Sequence, residues 1–406
     1  MKLLLAIVLI LIISVLGARI SFFNRRLSMG FRNILLTGTE YIFIGALLGG
    51  MGLNVLDAEA LTKLEPFLVF GLCWIGFLFG LQFQVRQLKT LPRFYFSISA
   101  VQAFITFLLV TASMYLVFKQ FIDLPETVLL MTAIVFGSSA SCTAQSALAI
   151  VSQNYRFKNR RLLDLMRYIS GVDGLYALFF FAAALSIFPG TEIAGFNLFH
   201  SLKWLFISIA MGVVPALILI YLSRVRFIQQ EFLVFLIGTV FLCGGLAHQI
   251  RYSPLISGCV CGIITANFCR HRLRALSEVL HAEKFIYIIL LLLLGASWQL
   301  KMDIAFVFTG IYFLGRILGK FIGAFTAVQI FKTGFKVPAD LGLGLISEGG
   351  VAAAVIINFK LLYPALADPL VTVIIISVFI NELLSPWFIL GRFDKNERNE
   401  RFLIKR

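Results

Sequence analysis

The stretch Tyr168-Ile-Ser-Gly-Val-Asp-Gly-Leu-Tyr176 lies near the middle of a long apolar run that spans residues 162–188. A carboxylate at the depth of a lipid bilayer costs several kcal/mol unless it faces a cavity or a partner. Asp173 is therefore a candidate functional residue. The alternatives are a polar contact between helices and a helix that does not cross a membrane. Further polar interruptions at the same depth favour the functional interpretation.

The composition supports a membrane setting for this run. The chain has 406 residues, of which 60% are hydrophobic and 14% are charged, and its mean hydropathy is +0.95. Average soluble chains carry roughly 25% charged residues. The sequence therefore predicts a polytopic membrane protein. The net charge of +15 could suggest nucleic acid, but the basic residues alternate between loops without interleaved aromatics, so a lipid bilayer is the predicted partner.

The cysteines do not follow a metal-binding pattern. Cys259 and Cys261 are too close together for the usual zinc motif, and no histidine pair accompanies them. We expect buried free thiols, no resident metal and no cofactor. The sequence also has no nucleophile–base constellation or phosphate loop, which argues against an enzyme. The cysteines are Cys73, Cys142, Cys243, Cys259, Cys261 and Cys269.

The spacing of charged residues divides the chain into membrane-spanning segments, because a spanning helix needs about 20 apolar residues. We predict an all-α fold with about thirteen of them. A separate amphipathic surface helix is expected between the ninth and tenth, from Arg270 to Lys284. The segments are 2–18, 31–55, 66–85, 93–118, 126–152, 162–188, 197–222, 230–248, 254–268, 281–298, 304–331, 337–359 and 368–391.

Basic residues collect in alternate loops. Under the positive-inside rule this puts the N-terminus outside and the C-terminus in the cytoplasm, in the cell (inner) membrane. The first segment could be a signal peptide, but the arginines that follow it favour a retained helix. The basic loops contain Arg19, Arg25, Arg26 and Arg32; Arg86, Lys89 and Arg93; Arg156, Lys158, Arg160 and Arg161; Arg224 and Arg226; Arg270, Arg272 and Arg274; and Lys332 and Lys336. The opposite loops have single charges such as Lys63, Lys119, Arg251, Lys301 and Lys360.

Two segments contain small and hydroxylic residues where leucine and isoleucine would be expected. They are Gly137-Ser-Ser-Ala-Ser-Cys-Thr-Ala144 in the fifth segment and Gly342-Leu-Gly-Leu-Ile-Ser-Glu-Gly-Gly350 in the twelfth. Such a pair, in corresponding positions of two halves, is typical of discontinuous helices in an inverted-repeat transporter. We predict two inverted repeats of six helices with crossing broken helices. The expected break residues are Ser138, Ser139, Cys142, Ser347, Glu348, Gly349 and Gly350.

Ionisable residues accompany both breaks. Asp173 follows the first break, and Arg316 and Lys320 precede the second, four residues apart on one helix face. Hydroxyl and carbonyl oxygens near Thr143 can hold a small cation, and a buried lysine can neutralise a carboxylate or the negative end of a half-helix. Lys320 and Arg316 are both charge-compensating candidates. We expect one of them to snorkel or to pair structurally, and we favour Lys320 for the functional role. Gly315, Gly319 and Gly323 are interpreted as a close-packing face, and Asn381 and Glu382 as a structural hydrogen-bonding pair near the cytoplasmic end.

Several motifs together resemble the monovalent cation:proton antiporter superfamily, the sodium/hydrogen exchangers. Glycine-rich segments at 45–49 and 71–82 look like early helices of that family, and Ser141-Cys-Thr-Ala144 looks like its first helix break. Asp173 lies at nearly the family's interval from that break. Gly319-Lys320-Phe-Ile-Gly323 is similar to the lysine-bearing helix, and Leu345-Ile-Ser-Glu-Gly-Gly350 to the second break.

The resemblance implies a homodimeric transporter whose core moves like an elevator. Residues 93–188 and 304–391 would form the core, and residues 1–85 and 197–298 the dimerisation or scaffold part of one transmembrane unit spanning 1–406. Asp173 would bind either a proton or a Na⁺ or K⁺ ion, assisted by Thr143 and Ser141. Val172 departs from the Asp or Asn common before the essential aspartate, and Glu348 stands where an uncharged residue is common.

The predicted function is secondary antiport of a monovalent cation and protons. One alternative is a sodium-coupled symporter of an organic anion, which shares this architecture. Another is a gated potassium efflux pathway. The symporter would need paired polar sodium sites, but the sequence shows few additional Asn, Gln or Glu residues at membrane depth. The loops and the C-terminal tail of the sequence are too short for a cytoplasmic regulatory domain, which argues against the efflux pathway.

Overall fold

A computed structural model describes residues 2–19, 28–89, 92–154, 160–188, 198–224, 229–299, 302–331, 333, 335 and 337–404. All regular secondary structure in this part is helical, which confirms the predicted all-α class. The helices are α1 (Lys2–Arg19), α2 (Met29–Thr37), α3 (Glu40–Leu48), α4 (Ala58–Lys63), α5 (Glu65–Gln82), α6 (Val85–Leu88), α7 (Arg93–Phe121), α8 (Glu126–Ser141), α9 (Ser146–Asn154), α10 (Arg160–Ile187), α11 (Leu198–Leu222), α12 (Gln229–Gln249), α13 (Pro254–Phe268), α14 (Arg272–Ala296), α15 (Met302–Ile330), a 3₁₀ helix (Leu341–Leu345), α16 (Gly349–Leu362) and α17 (Pro364–Ile404).

Each predicted membrane segment coincides with one helix or with an interrupted pair. Among the described helices, nine are long and apolar enough to cross a membrane, and α1, α13 and α16 are shorter apolar helices. Several basic residues used to assign the two sides lie outside the described residues, namely Arg25, Arg26, Arg156, Lys158, Arg226, Lys301, Lys332 and Lys336.

Two expected segments have a different form. The segment predicted at 31–55 is divided at Gly38, whose left-handed conformation (φ 75°) ends α2, and α3 then stops at Leu48. The amphipathic surface helix expected from Arg270 to Lys284 is not separate from the tenth segment, because α14 runs without interruption from Arg272 to Ala296. This stretch has no glycine or proline before its last turn, so its residues continue the helix.

Most packing occurs within two groups of helices. The crossing bundle consists of α7–α10, α15, the 3₁₀ helix, α16 and α17, and the scaffold bundle consists of α1, α3, α5 and α11–α14. These are largely the helices that the sequence assigns to the core and to the scaffold. However, α2 packs on α17 and α9 of the crossing bundle. The separate roles of the two groups stay a prediction.

Glycines on α15 allow it to approach α7 closely. A Cβ atom on Gly319 would lie 2.9 Å from the Cα atom of Thr106, and one on Gly323 would lie 2.8 Å from the carbonyl oxygen of Gln102. Real Cβ atoms essentially never come this close to backbone. The close-packing interpretation of this face therefore holds, and it brings Arg316 and Lys320 of α15 into the protein interior.

We predict that Gly323→Ala lowers the melting temperature in detergent, because the new methyl group meets the backbone of Gln102. Overpacking of this kind costs about 1–3 kcal/mol, which exceeds the gain in helix propensity of up to about 1 kcal/mol. Gly310→Ala on the same helix is the control, since nothing lies within 4 Å of its Cβ position. Equal melting temperatures for the two variants would contradict this packing.

Candidate functional site

The two predicted broken helices meet in the interior of the crossing bundle. The first is interrupted between the end of α8 at Ser141 and the start of α9 at Ser146, and the second between the 3₁₀ helix and α16. The two interruptions touch, because the amide of Ala144 donates a hydrogen bond of 2.9 Å to the carbonyl oxygen of Ser347. Two non-helical backbone segments thus meet in the interior of the crossing bundle.

The break residues fall partly where the sequence placed them. Cys142, Ser347 and Glu348 lie in the interruptions, and the six cysteines, including Cys142, are buried free thiols. Ser138 and Ser139 were predicted in the first break but lie in the last turn of α8, where Ser138 bonds the carbonyl oxygen of Val135.

The second break also ends earlier than predicted. Gly349 and Gly350 are the first two residues of α16. Gly349 has a left-handed conformation (φ 54°), and a Cβ atom there would collide with the side chain of Ala144 on the crossing segment. Glycine at this position therefore lets the two breaks touch.

Arg316 binds the exposed carbonyls of both breaks. Its Nη2 atom donates to the carbonyl oxygens of Cys142 at 2.7 Å, Ser347 at 3.0 Å and Ile346 at 3.1 Å, and its Nη1 atom donates to the carbonyl oxygen of Ala140. The C-terminal ends of half-helices carry partial negative charge. The fully buried guanidinium therefore joins the two broken helices through their negative ends.

Asp173 lies directly beside this crossing and is fully buried. Its Oδ2 atom accepts hydrogen bonds from Thr143 Oγ1 at 2.6 Å and Lys320 Nζ at 3.0 Å, and its Oδ1 atom accepts one from Ser99 Oγ at 2.9 Å. The predicted group of Asp173, Thr143 and Lys320 is thus assembled from α10, the first break and α15. Ser99 on α7 completes it.

The Lys320 ammonium sits among three oxygen atoms. It donates to the carbonyl oxygen of Ser141 at 2.7 Å, Thr143 Oγ1 at 2.8 Å and Asp173 Oδ2 at 3.0 Å. Ser141 takes part through its backbone, since its hydroxyl bonds the carbonyl oxygen of Ser138. Sequence reasoning missed Ser99. Its only signal was the spacing of Ser99, Gln102 and Thr106 on one face of a mainly apolar helix.

Glu348 belongs to a fixed anionic site next to Arg316. Its Oε1 atom accepts a hydrogen bond of 2.5 Å from Tyr312, and its Oε2 atom accepts bonds from Asn381 at 2.6 Å and Ser377 at 3.0 Å. Arg316 Nε lies 3.8 Å from the same oxygen. These contacts hold the Glu348 carboxyl group beside the guanidinium of Arg316.

Glu382 compensates the opposite, positive end of the second break. Its Oε1 atom accepts hydrogen bonds from the amides of Gly349 at 2.9 Å and Glu348 at 3.1 Å, and from Ser347 Oγ at 2.9 Å. Its Oε2 atom contacts Asn33 of α2. From the sequence, Asn381 and Glu382 were expected to form a structural hydrogen-bonding site near the cytoplasmic end. In the structure both form hydrogen bonds at the crossing, Asn381 with Glu348 and Glu382 with Gly349.

The crossing concentrates the buried charge of the described chain. All of its buried acidic and basic side chains are here, and each is fully buried. With ordinary protonation, two cations face three carboxylates, so one negative charge remains for a single proton or monovalent cation to offset. These residues are Asp173, Arg316, Lys320, Glu348 and Glu382.

A cavity of about 440 Å³ reaches the site from one side. Its wall contains Thr143, Ser146 and Gly174 of the crossing bundle and Glu283 and Tyr287 of α14. It lies towards the ends of α5 and α14 that adjoin the basic loops, which is the predicted cytoplasmic side. Thr143 therefore links this cavity directly to Asp173.

Comparison with known proteins agrees with this geometry. The sequence profile of the family described as "Sodium/hydrogen exchanger, transmembrane" matches residues 13–390. The chain belongs to the sodium/hydrogen exchanger family. It is therefore a member of a family of membrane transporters and not of an enzyme family, and the resemblance read from its motifs is confirmed.

Solved structures share the fold of this exchanger. The sodium proton antiporter MjNhaP1 from Methanocaldococcus jannaschii, at pH 8, is 16% identical with a TM-score of 0.68, covering 97% of this chain and 100% of that chain. A second structure of the same antiporter, from electron microscopy, is 18% identical with a TM-score of 0.62, covering 95% of each chain. None of the curated proteins compared with the chain gives a significant match.

We predict that Arg316→Lys strongly lowers the melting temperature, because an ammonium cannot span the carbonyls of both breaks. Each buried polar group left unpaired costs about 1–3 kcal/mol. Arg167→Lys is the matched control, since Arg167 is exposed on α10 and should tolerate the same substitution. Thermal unfolding of the purified exchanger in detergent measures both. A melting temperature for Arg316→Lys equal to that of the control would show that the guanidinium does not join the breaks.

Proposed function

We propose that this exchanger is a secondary active antiporter that exchanges Na⁺ or K⁺ for H⁺ by alternating access, with Asp173 alternately protonated and cation-bound. The observation that carries the proposal is the position of the Lys320 ammonium, a monovalent cation held by three oxygen atoms beside a buried carboxylate. Hard cations take the same kinds of ligand, namely carboxylate, hydroxyl and carbonyl oxygens.

The ammonium marks where a transported ion would bind. A cation that enters through the 440 Å³ cavity meets Thr143 in its wall and then Asp173 Oδ2 behind it. It carries the same charge as the ammonium and can replace it at the oxygens of Thr143 and Asp173. Lys320 would then keep its bond to the carbonyl oxygen of Ser141, near the negative end of the α8 half-helix.

Competition at Asp173 would make the exchange obligatory. A protonated carboxyl group has no charge with which to hold a cation, and a cation-bound carboxylate resists protonation. Either occupant offsets the single excess negative charge of the crossing. If Lys320 keeps its proton throughout, one cation replaces one proton and the exchange moves no net charge. Val172, which adds no second carboxylate beside Asp173, agrees with this stoichiometry.

Transport would also require a movement between the two helix bundles. The crossing bundle would carry the ion while moving against the scaffold bundle, and the scaffold bundle would form a homodimer in the cell (inner) membrane. The N-terminus would be outside and the C-terminus in the cytoplasm. The packing of the described helices into two groups, with the 440 Å³ cavity between them, supports this division.

We predict that Asp173→Asn reduces exchange to background, because the amide can neither carry the exchanged proton nor supply the charge for a cation. The assay uses proteoliposomes with an internal pH-sensitive dye, to which Na⁺ or K⁺ is added. Asp164→Asn is the control, since Asp164 is exposed on the same helix and should leave exchange unchanged. Full exchange by Asp173→Asn would refute the role of Asp173. Sodium uptake that requires an organic anion and moves no protons would favour the symporter instead.

A further inference from the structure

Two cavities approach the same pair of helices from opposite ends. The cavity described above, which contains Thr143 in its wall, reaches α14 at residues 280–288 and α16 at residues 349–351. It is called the inner cavity here. A larger cavity of about 840 Å³, called the outer cavity, reaches α14 at residues 293–296 and α16 at residues 357–361, on the side away from the basic loops.

The two helices pack on each other between the inner and outer cavities. The interface of α16 and α17 with α13, α14 and the residues just after α14 is called the seam here. The stretch of the seam between the cavities is apolar. Between the two cavities α14 carries Leu290, Leu291 and Leu292, and α16 carries Ala352–Ile356, all of them buried. A hydrated ion does not pass such a layer while the helices are in contact. Passage from the outer cavity to the crossing therefore requires α16 to separate from α14.

Polar contacts join the two sides of the seam next to the outer cavity. Asn358 of α16 accepts hydrogen bonds through Oδ1 from Ser253 Oγ at 3.1 Å and from the amide of Leu255 at 3.3 Å. Ser253 is the N-cap residue of α13, so a side chain of the crossing bundle helps to cap a scaffold helix.

Two further contacts join the same parts of the protein. Lys360 of α16 donates through Nζ to the carbonyl oxygen of Ser297 at 2.7 Å. Trp298, next along the chain, donates through Nε1 to Thr372 Oγ1 of α17 at 2.9 Å. Lys360 and Ser297 also line the outer cavity. Each contact has one partner in the crossing bundle and the other next to the end of a scaffold helix, just before α13 or just after α14.

We propose that the outer cavity is the vestibule for the monovalent cation on the non-basic side, and that these contacts are its closed gate. The gate consists of Asn358–Ser253, Lys360–Ser297 and Thr372–Trp298. It holds the apolar part of the seam shut while the inner cavity is open to Asp173. This inference rests on the proposed function, because a gate on the second side has a role only in alternating access.

The chemistry of the vestibule fits a cation. Asp57 and Glu65 place two carboxylates in its wall, against one ammonium from Lys360, so the wall carries a net negative charge that raises the local concentration of cations. Two of the gate contacts are hydrogen bonds between neutral groups, and the third is donated by the Lys360 ammonium. Each contributes a modest net free energy because water replaces it when the gate opens. Such contacts can break and form again in each transport cycle.

The test uses the full-length exchanger with its six native cysteines replaced by alanine and a single reporter, Val351→Cys. Val351 lines the inner cavity and adjoins the apolar part of the seam. Vesicles of each orientation receive a membrane-impermeant thiol reagent without an ion gradient. We expect labelling through the inner cavity only. Adding Asn358→Leu with Thr372→Val should raise labelling from the side of the outer cavity about tenfold, the factor for about 1.4 kcal/mol.

The control is Tyr363→Phe, which removes a hydrogen bond to the carbonyl oxygen of Phe188 inside the crossing bundle. It should leave both labelling rates unchanged. Unchanged rates in the Asn358→Leu/Thr372→Val variant, or an equal rise in the control, would overturn the gate. Because labelling needs no transported ion, the gate can be confirmed even if Asp173→Asn shows that the proposed function is wrong.

A disulfide across the gate tests the same proposal without removing any of its contacts by apolar substitution. The pair Ser253→Cys and Asn358→Cys, on the same cysteine-free background, places two thiols where the native side chains touch. Once their disulfide forms, exchange in proteoliposomes should stop, and reduction should restore it. Exchange at the full rate with the disulfide in place would also overturn the gate.

Discussion

The whole arrangement depends on compensating the ends of two helices that are interrupted away from water. Each break leaves carbonyls on one half-helix and amides on the other, and lipid supplies no partners for them. Arg316 binds the carbonyls of both breaks, and Glu382 binds the amides that begin α16. Both side chains are fully buried. Without such partners the two segments could not cross, and no oxygen-lined site would form beside Asp173.

Arg316 and Lys320 lie one helical turn apart on α15, and their contacts indicate two different roles. Arg316 has a planar fork of donors and is held by backbone carbonyls and Glu348, so it is suited to a permanent structural role. Lys320 has a compact ammonium with three donors, and all three acceptors are oxygens that a metal cation could also use. In the proposed cycle the lysine is the displaceable partner of Asp173, whereas the arginine keeps the crossing intact.

Much of this could be predicted from the sequence, because the decisive features are local. The sequence alone shows the lengths of the apolar segments and the two runs of small residues. It also shows the positions of Asp173 and Lys320 relative to those runs. The break at Gly38 was missed because residues 37–40 are a short polar interruption between two apolar stretches that together have the length of one spanning segment. The contacts of Arg316 could not be predicted because its partners are backbone atoms of distant segments. Ser99, Asn33 and Glu382 reach the crossing only through tertiary packing, so the sequence around them does not reveal which atoms they contact.

The central claim is that a proton and a cation exclude each other at one buried carboxylate. The most direct test adds Na⁺ or K⁺ to purified exchanger in weakly buffered detergent solution, starting from protonated protein. Released protons are measured together with cation binding by calorimetry. The account predicts saturable binding that releases about one proton per cation, and neither binding nor release in Asp173→Asn. Saturable cation binding to the wild-type protein without proton release would contradict it.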